Sequence, residues 1–205
     1  MKYVLFVIMT IAATLNLGCD NKLFQYDVSV DQTGQFIIDD ADGIYTTSTF
    51  ISRTSVAKAF NLPDGARVTS LQIESLSLKV VTGAGNAATD VTISGYLGTS
   101  PTTTQTLFNR VSVPLGGLDI PFIGLNSLIE SNIGKLRTEL ENFVKGVGTG
   151  SLIQLAVSGT TTPAGSRLVL TINMSIKATV HYERCEEILK GMSDGPACAE
   201  GEVAH

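Results

Sequence analysis

The chain of 205 residues has no tryptophan, two histidines and three cysteines. Aromatic residues make up 6% and charged residues 16%. Each scarcity excludes something. The histidines are His181 and His205, and neither sits in a local partner pattern, so imidazole catalysis and a multi-ligand metal site have little material. There is no GxSxG, no HExxH and no phosphate loop. Fourteen basic residues against nineteen acidic ones give a net charge of −5. That balance argues against nucleic acid as a partner, since phosphate binding needs a basic surface. A transmembrane β-barrel would need many alternating strands and aromatic girdles, and only one strand alternates well. The expectation is therefore a chain that is not an enzyme and carries no cofactor. Apolar residues are plentiful at 43%, which supplies a core and excludes wholesale disorder.

Residues 1–19 read MKYVLFVIMTIAATLNLGC. Lys2 is followed by an apolar run from Tyr3 to Ala13, shorter than the roughly 20 residues that span a bilayer. A positive start, a short apolar core and a small residue before the processing point have the layout of a secretory signal. Leu15-Asn16-Leu17-Gly18-Cys19 resembles the lipobox of bacterial lipoproteins. That family prefers Leu three residues before the Cys, where this chain has Asn16, with Leu15 one place earlier. The resemblance implies cleavage before Cys19, a diacylglyceryl group on its sulfur, and attachment to a membrane of the bacterial cell envelope through palmitate-like acyl chains. Asp20 follows directly and leaves the choice of membrane open. Each buried methylene of such an anchor contributes about 0.8 kcal/mol. The expected organisation is a signal peptide at 1–18, a lipidated Cys with a polar tether at 19–25, and a single β-rich domain at 26–205.

Cys185 and Cys198 remain. In an exported chain disulfides persist, and two cysteines make one pair. Gly191, Gly195 and Pro196 let the enclosed segment turn back. A Cys185–Cys198 bond is expected as a staple on the C-terminal tail, worth roughly 3 kcal/mol in the chain-entropy model.

The rest reads mostly as strand. Tyr26 to Asp31 alternates with period two, Gln32-Thr33-Gly34-Gln35 has turn composition, and Phe36 to Ile38 follows as a second short strand. Tyr45 to Ser52 is β-branched, and Ser55 to Phe60 suggests one helical turn before Pro63. Leu71 and Ile73 have opposite parity to Leu76, Leu78 and Val80, which predicts a β-bulge near Glu74-Ser75. Val91, Ile93 and Leu97 mark a strand weakened by Gly95. Leu107 to Val113 and Leu152 to Val157 are further strands. From Leu168 to Tyr182 every second residue is apolar, with Thr171, Asn173, Ser175, Lys177, Thr179 and His181 between them. That is one half-buried strand near 50 Å long if unbent.

One helix is predicted at about 127–146. Leu125, Ile129, Ile133, Leu136, Leu140, Phe143 and Val147 form a single stripe, Ser127 and Glu130 have the capping-box form, and Gly146 and Gly148 offer stops. The other face carries Lys135, Arg137, Glu139 and Glu141. The fold class is mainly β, an antiparallel β-sandwich or open barrel with one amphipathic helix.

Two patterns are candidate sites. Asp39, Asp40 and Asp42 before Gly43 offer oxygen ligands to Ca²⁺, against the plainer reading of a charged turn. The polar positions of the long strand offer a platform to a protein or glycan, and a partner could add a strand to it were it a sheet edge. The leading functional expectation is a cell-envelope lipoprotein with a non-catalytic binding or structural β-domain. The alternatives are a carrier or sensor of an apolar or lipid ligand between helix and sheet, and an envelope hydrolase built from scattered residues.

Overall fold

The computed structural model describes residues 19–98, 105–116, 123–125, 130–147, 150–189 and 195–198. The expected signal peptide at 1–18 lies outside them, as do Ser127, Ile129 and Gly148. The strands are β1 (Cys19–Asp40), β2 (Ile44–Ser52), β3 (Arg67–Thr82), β4 (Asp90–Leu97), β5 (Gln105–Pro114), β6 (Ile123–Gly124), β7 (Leu152–Thr162) and β8 (Leu168–Leu189). The helices are α1 (Arg53–Phe60) and α2 (Glu130–Val144). They form two four-stranded sheets, ordered β1-β8-β3-β6 and β2-β7-β4-β5. The fold is an antiparallel β-sandwich and not a closed barrel. Among the described residues no helix is long and apolar enough to cross a membrane. The described residues divide into two compact units, the smaller drawn from 19–26, 62–69, 181–189 and 195–198, and the larger from within 27–61 and 70–180.

In the larger unit, β8 supplies the middle of the core. Leu168, Leu170, Ile172, Met174, Ile176, Ala178 and Val180 are all buried, as the period of two requires. Phe36 and Ile38 of β1 and Leu71, Leu76, Leu78 and Val80 of β3 extend the same layer. Tyr45, Ile51, Val91, Ile93, Leu107, Phe108, Val113, Ile153, Leu155 and Val157 form the facing layer. On β3, Glu74 and Ser75 are consecutive exposed residues between the odd and even buried series. The parity change expected there is present.

The turn expected at Gln32–Gln35 does not form. These residues continue β1, whose odd side chains from Asp27 to Asp39 stay exposed without a break in parity. Gly34 falls in the inward series, where a Cβ would lie 3.3 Å from Thr49 Cγ2 and 3.8 Å from Leu155 Cδ1. Its glycine serves close approach of the facing sheet and not a reversal. Gly159 answers a tighter constraint in β7. A Cβ there would meet Thr92 O at 1.7 Å and Tyr45 Oη at 2.7 Å, because the buried Tyr45 hydroxyl crosses above it to donate to Thr92 O at 3.2 Å. Burial pushes the pKa of that hydroxyl up.

The single turn expected at 55–60 is a complete helix from Arg53. Ser52 Oγ caps it by accepting from Ser55 N at 3.0 Å. Asn61, left-handed at φ 43°, ends it by donating to Ala57 O at 2.9 Å, two residues before Pro63. The predicted helix at 127–146 is described over Glu130–Val144 as α2, with the expected stripe members Leu125 and Val147 outside it and Val147 exposed. Its stripe is buried at Leu136, Leu140 and Phe143. It lies against α1, which buries Val56 and Phe60, as well as against β5, so the apolar surface it needs comes from a second helix and the sheet together. Arg53 joins the helices. Its guanidinium sits 5.3 Å from the Phe143 ring centre and donates to Val147 O at 2.7 Å and Gly146 O at 3.4 Å. A cation at a helix C-terminus also meets the negative end of the helix dipole.

Leu136→Ala and Leu140→Ala should each lower unfolding free energy by about 2–5 kcal/mol through lost burial and the cavity left behind. Urea denaturation of the two variants, with unchanged slopes, checks this.

Candidate functional site

The predicted platform is the outer face of β8 in the larger unit. Because β8 lies between β1 and β3, it offers no edge, and strand addition to it is excluded: its backbone groups are already paired. The neighbouring strands also reach over its outer side chains. Gln35 Nε2 of β1 donates to Asn173 Oδ1 at 3.3 Å. Further along, Glu74 of β3 takes an ion pair from Lys177 at 2.7 Å and a hydrogen bond from Thr179 Oγ1, while Ser29 Oγ bonds both Thr179 Oγ1 and, at 3.4 Å, Glu74 Oε1. Thr179, expected on a wet face, is buried under this group. Thr171 and Ser175 are half-buried and Lys177 is exposed. The bonds from Lys177 and Thr179 hold the Glu74 carboxyl below its ordinary range, and Glu74 raises Lys177 in return. The pattern showed Lys177 and the Glu74 irregularity separately. That they meet depends on the register of two strands about a hundred residues apart, which no local period carries.

The acidic turn is occupied by its own chain. Arg167 Nη2 donates to Asp39 at 3.0 and 3.3 Å. Asp40 Oδ1 accepts from Asp42 N at 2.9 Å, which is how a side-chain carboxylate shapes a turn. Among the described residues no three metal-ligating side chains come together, so Ca²⁺ gains no support at Asp39, Asp40 and Asp42.

Between α2 and the sheet β2-β7-β4-β5 lies an open cleft of about 320 Å³. Leu97, Leu152 and Ile153 form its apolar part, and Gln105, Lys135, Glu139 and Gln154 its polar part. The stripe residues Leu136 and Leu140 do not line it, being committed to packing.

The smaller unit holds a second polar group and the staple. Glu183 accepts from Arg67 Nη2 at 2.5 Å and Gln25 Nε2 at 3.3 Å, and these bonds lower its pKa. Tyr26 stacks on Tyr182 at 5.4 Å and donates to Glu186 Oε1 at 2.7 Å, a bond that raises the pKa of the phenol. His181 is half-buried, and its backbone carbonyl accepts from Thr69 Oγ1 at 3.0 Å. The disulfide Cys185–Cys198 is present, with Cα atoms 5.8 Å apart. One arrangement was not anticipated. Residues 19–25, expected as a tether, are the start of β1. Leu23 N donates to Pro196 O at 3.0 Å, Cys198 N donates to Asn21 O at 3.3 Å, and Lys22 pairs with Ala197. The polar composition of 20–25 gave no signal of this clasp, whose hydrogen bonds are made by backbone alone.

Two measurements follow from this geometry. Replacing both Cys185 and Cys198 by Ser should remove about 3 kcal/mol of stability, the entropy of so short a loop, and should speed hydrogen exchange at the Leu23 amide. The second concerns pH. A carboxyl held below its ordinary pKa of 4.5 stabilises the fold above that value and loses the contribution as pH falls through the depressed one. The thermal midpoints of wild type and Glu74→Gln should therefore differ most near neutrality and converge in strong acid. A difference that grows on acidification would refute the assignment.

No family model matches the chain, and no curated protein does. Among solved structures, the chain is similar to turnip yellow mosaic virus at 13% identity and a TM-score of 0.34, over 82% of this chain and 85% of that one. It is similar to Desmodium yellow mottle tymovirus at 11% identity and a TM-score of 0.33, covering 86% and 87%. A 60-mer BFDV capsid protein gives 10% identity and a TM-score of 0.30, covering 86% and 99%. Similarity this loose carries no function to the present chain, and the sandwich rests on its own strand pairing.

Proposed function

We propose that the chain is a cell-envelope lipoprotein, held by acyl chains on Cys19, whose β-domain presents a binding or structural surface and performs no chemistry. The observation that carries this reading is the distribution of three cysteines. Cys185 and Cys198 are joined, a bond suited to an oxidising compartment. The remaining one is Cys19, at the position where the lipobox-like segment calls for a thiol.

The non-catalytic part is supported by how the acidic side chains are used. Glu74 is engaged by Lys177 and Thr179, Glu183 by Arg67 and Gln25, and Asp39 by Arg167. An acid or base must be free to exchange its proton with a substrate, and each of these carboxylates is tied into an ion pair with a residue more than a hundred positions away. The surface that the Glu74 group braces is the outer face of β8 in the larger unit, with Thr171, Asn173, Ser175 and Lys177, suited to a protein or glycan partner. The carrier reading ranks lower because the cleft beside α2 is open and its lining is mixed, with Gln105, Lys135, Glu139 and Gln154 beside Leu97, Leu152 and Ile153, where an acyl chain calls for an enclosed apolar site.

Expression of the full precursor in a bacterial host should give a mature chain starting at a diacylated Cys19, and Cys19→Ala should accumulate as uncleaved precursor. A mature chain with an unmodified Cys19 thiol would sink the lipoprotein reading. Turnover of ester, peptide or glycoside substrates that is lost in His181→Ala would sink the non-catalytic one.

A further inference from the structure

We infer that the clasp at Asn21–Leu23 seats the smaller unit directly in the headgroup layer of the bilayer that holds the Cys19 lipid. This rests on the lipoprotein reading and names the part of the fold that meets the membrane. β1 begins at Cys19 itself. Asn21 O is already bonded to Cys198 N, Lys22 pairs with Ala197, and Leu23 N is bonded to Pro196 O. The 196–198 segment cannot drift away with its partner, because Cys198 is covalently joined to Cys185 of β8.

The lipid-bearing residue is therefore two residues from the first backbone atom the clasp fixes. Two residues reach at most about 7 Å. The polar layer on each side of a bilayer is about 5–8 Å thick, the difference between about 40–45 Å overall and a 30 Å hydrocarbon core. A Cys whose acyl chains are in the core starts at the inner boundary of that layer. Its two-residue span ends within the headgroups or at their outer limit. Asn21, Pro196 and Ala197, all exposed in the chain itself, are left at headgroup depth, with Lys22 between them. No apolar wedge is required: the short covalent reach alone imposes the contact.

The absence of tryptophan makes a single introduced indole a clean reporter. Asn21→Trp and Ala197→Trp, each in the full lipidated chain with the Cys19 modification verified by mass spectrometry, are reconstituted into phosphatidylethanolamine–phosphatidylglycerol vesicles containing a headgroup-nitroxide lipid. Both reporters should be strongly quenched. An insertion of about 20 Gly/Ser residues between Cys19 and Asp20, with a root-mean-square span of about 25 Å, should reduce the quenching several-fold. Unquenched reporters on a chain with verified lipid overturn the inference, and so does quenching that the insertion leaves unchanged. If mass spectrometry finds Cys19 unlipidated, the lipoprotein reading itself has failed, and the inference falls with it.

Discussion

The larger unit depends on one constraint, that the strict alternation of β8 between Leu168 and Val180 has to satisfy two environments at once. Its inward residues are all buried, and a fully buried aliphatic side chain contributes about 1.5–3 kcal/mol relative to exposure. A slip of one residue would send the whole apolar series outward. That penalty fixes the register of β8 against β1 and β3, and with it the positions of the outward side chains. Ser29, Glu74, Lys177 and Thr179 meet because the core on the opposite side permits one register. The polar group is a consequence of the packing and adds little energy of its own, since exposed ion pairs are individually worth about 0–1 kcal/mol.

The same reasoning explains what could be read from the sequence. The inward series of β8, the stripe of α2 and the parity change on β3 are local periodicities; the first and last appear where the residues placed them, and the stripe is buried at Leu136, Leu140 and Phe143 but not at its far end, Val147. The disulfide followed from counting. Gln32–Gln35 was misread because turn composition and strand parity conflict there, and parity prevailed: Gly34 is small to admit Thr49 and Leu155, a demand made by another sheet. Thr179 was expected wet because its own strand says nothing of Ser29 and Glu74 closing over it. The interior position of β8 and the pairing of Asn21–Leu23 with 196–198 are decided by backbone partners distant in sequence. No side-chain pattern records those partners.

Three ion pairs among the described residues join segments distant in sequence. Arg167 with Asp39, Lys177 with Glu74, and Arg67 with Glu183 each link residues at least a hundred apart in sequence. In the larger unit, the Lys177–Glu74 pair holds outer side chains of the adjacent strands β8 and β3 in defined positions. A face braced in this way loses little side-chain freedom when a partner binds it, and such ordering otherwise costs about 0.5–1.5 kcal/mol per immobilised side chain. On the proposed reading, this is what recognition by a preformed surface requires.

An anchor and a linker do different work in a tethered protein. The acyl chains set how firmly the chain is held, through the number of buried methylenes. The residues between lipid and fold set how far it can move. A flexible linker of about 20 residues would let the smaller unit wander over roughly 25 Å. Pairing that begins at Asn21, locked by Cys185–Cys198, removes that volume. On the lipoprotein reading, the staple then acts on more than stability. By keeping 196–198 in place it keeps Asn21–Leu23 in place, so a covalent bond near the C-terminus determines how closely the unit is held at the N-terminus. On that reading, reach is given up for a fixed distance between the smaller unit and the bilayer.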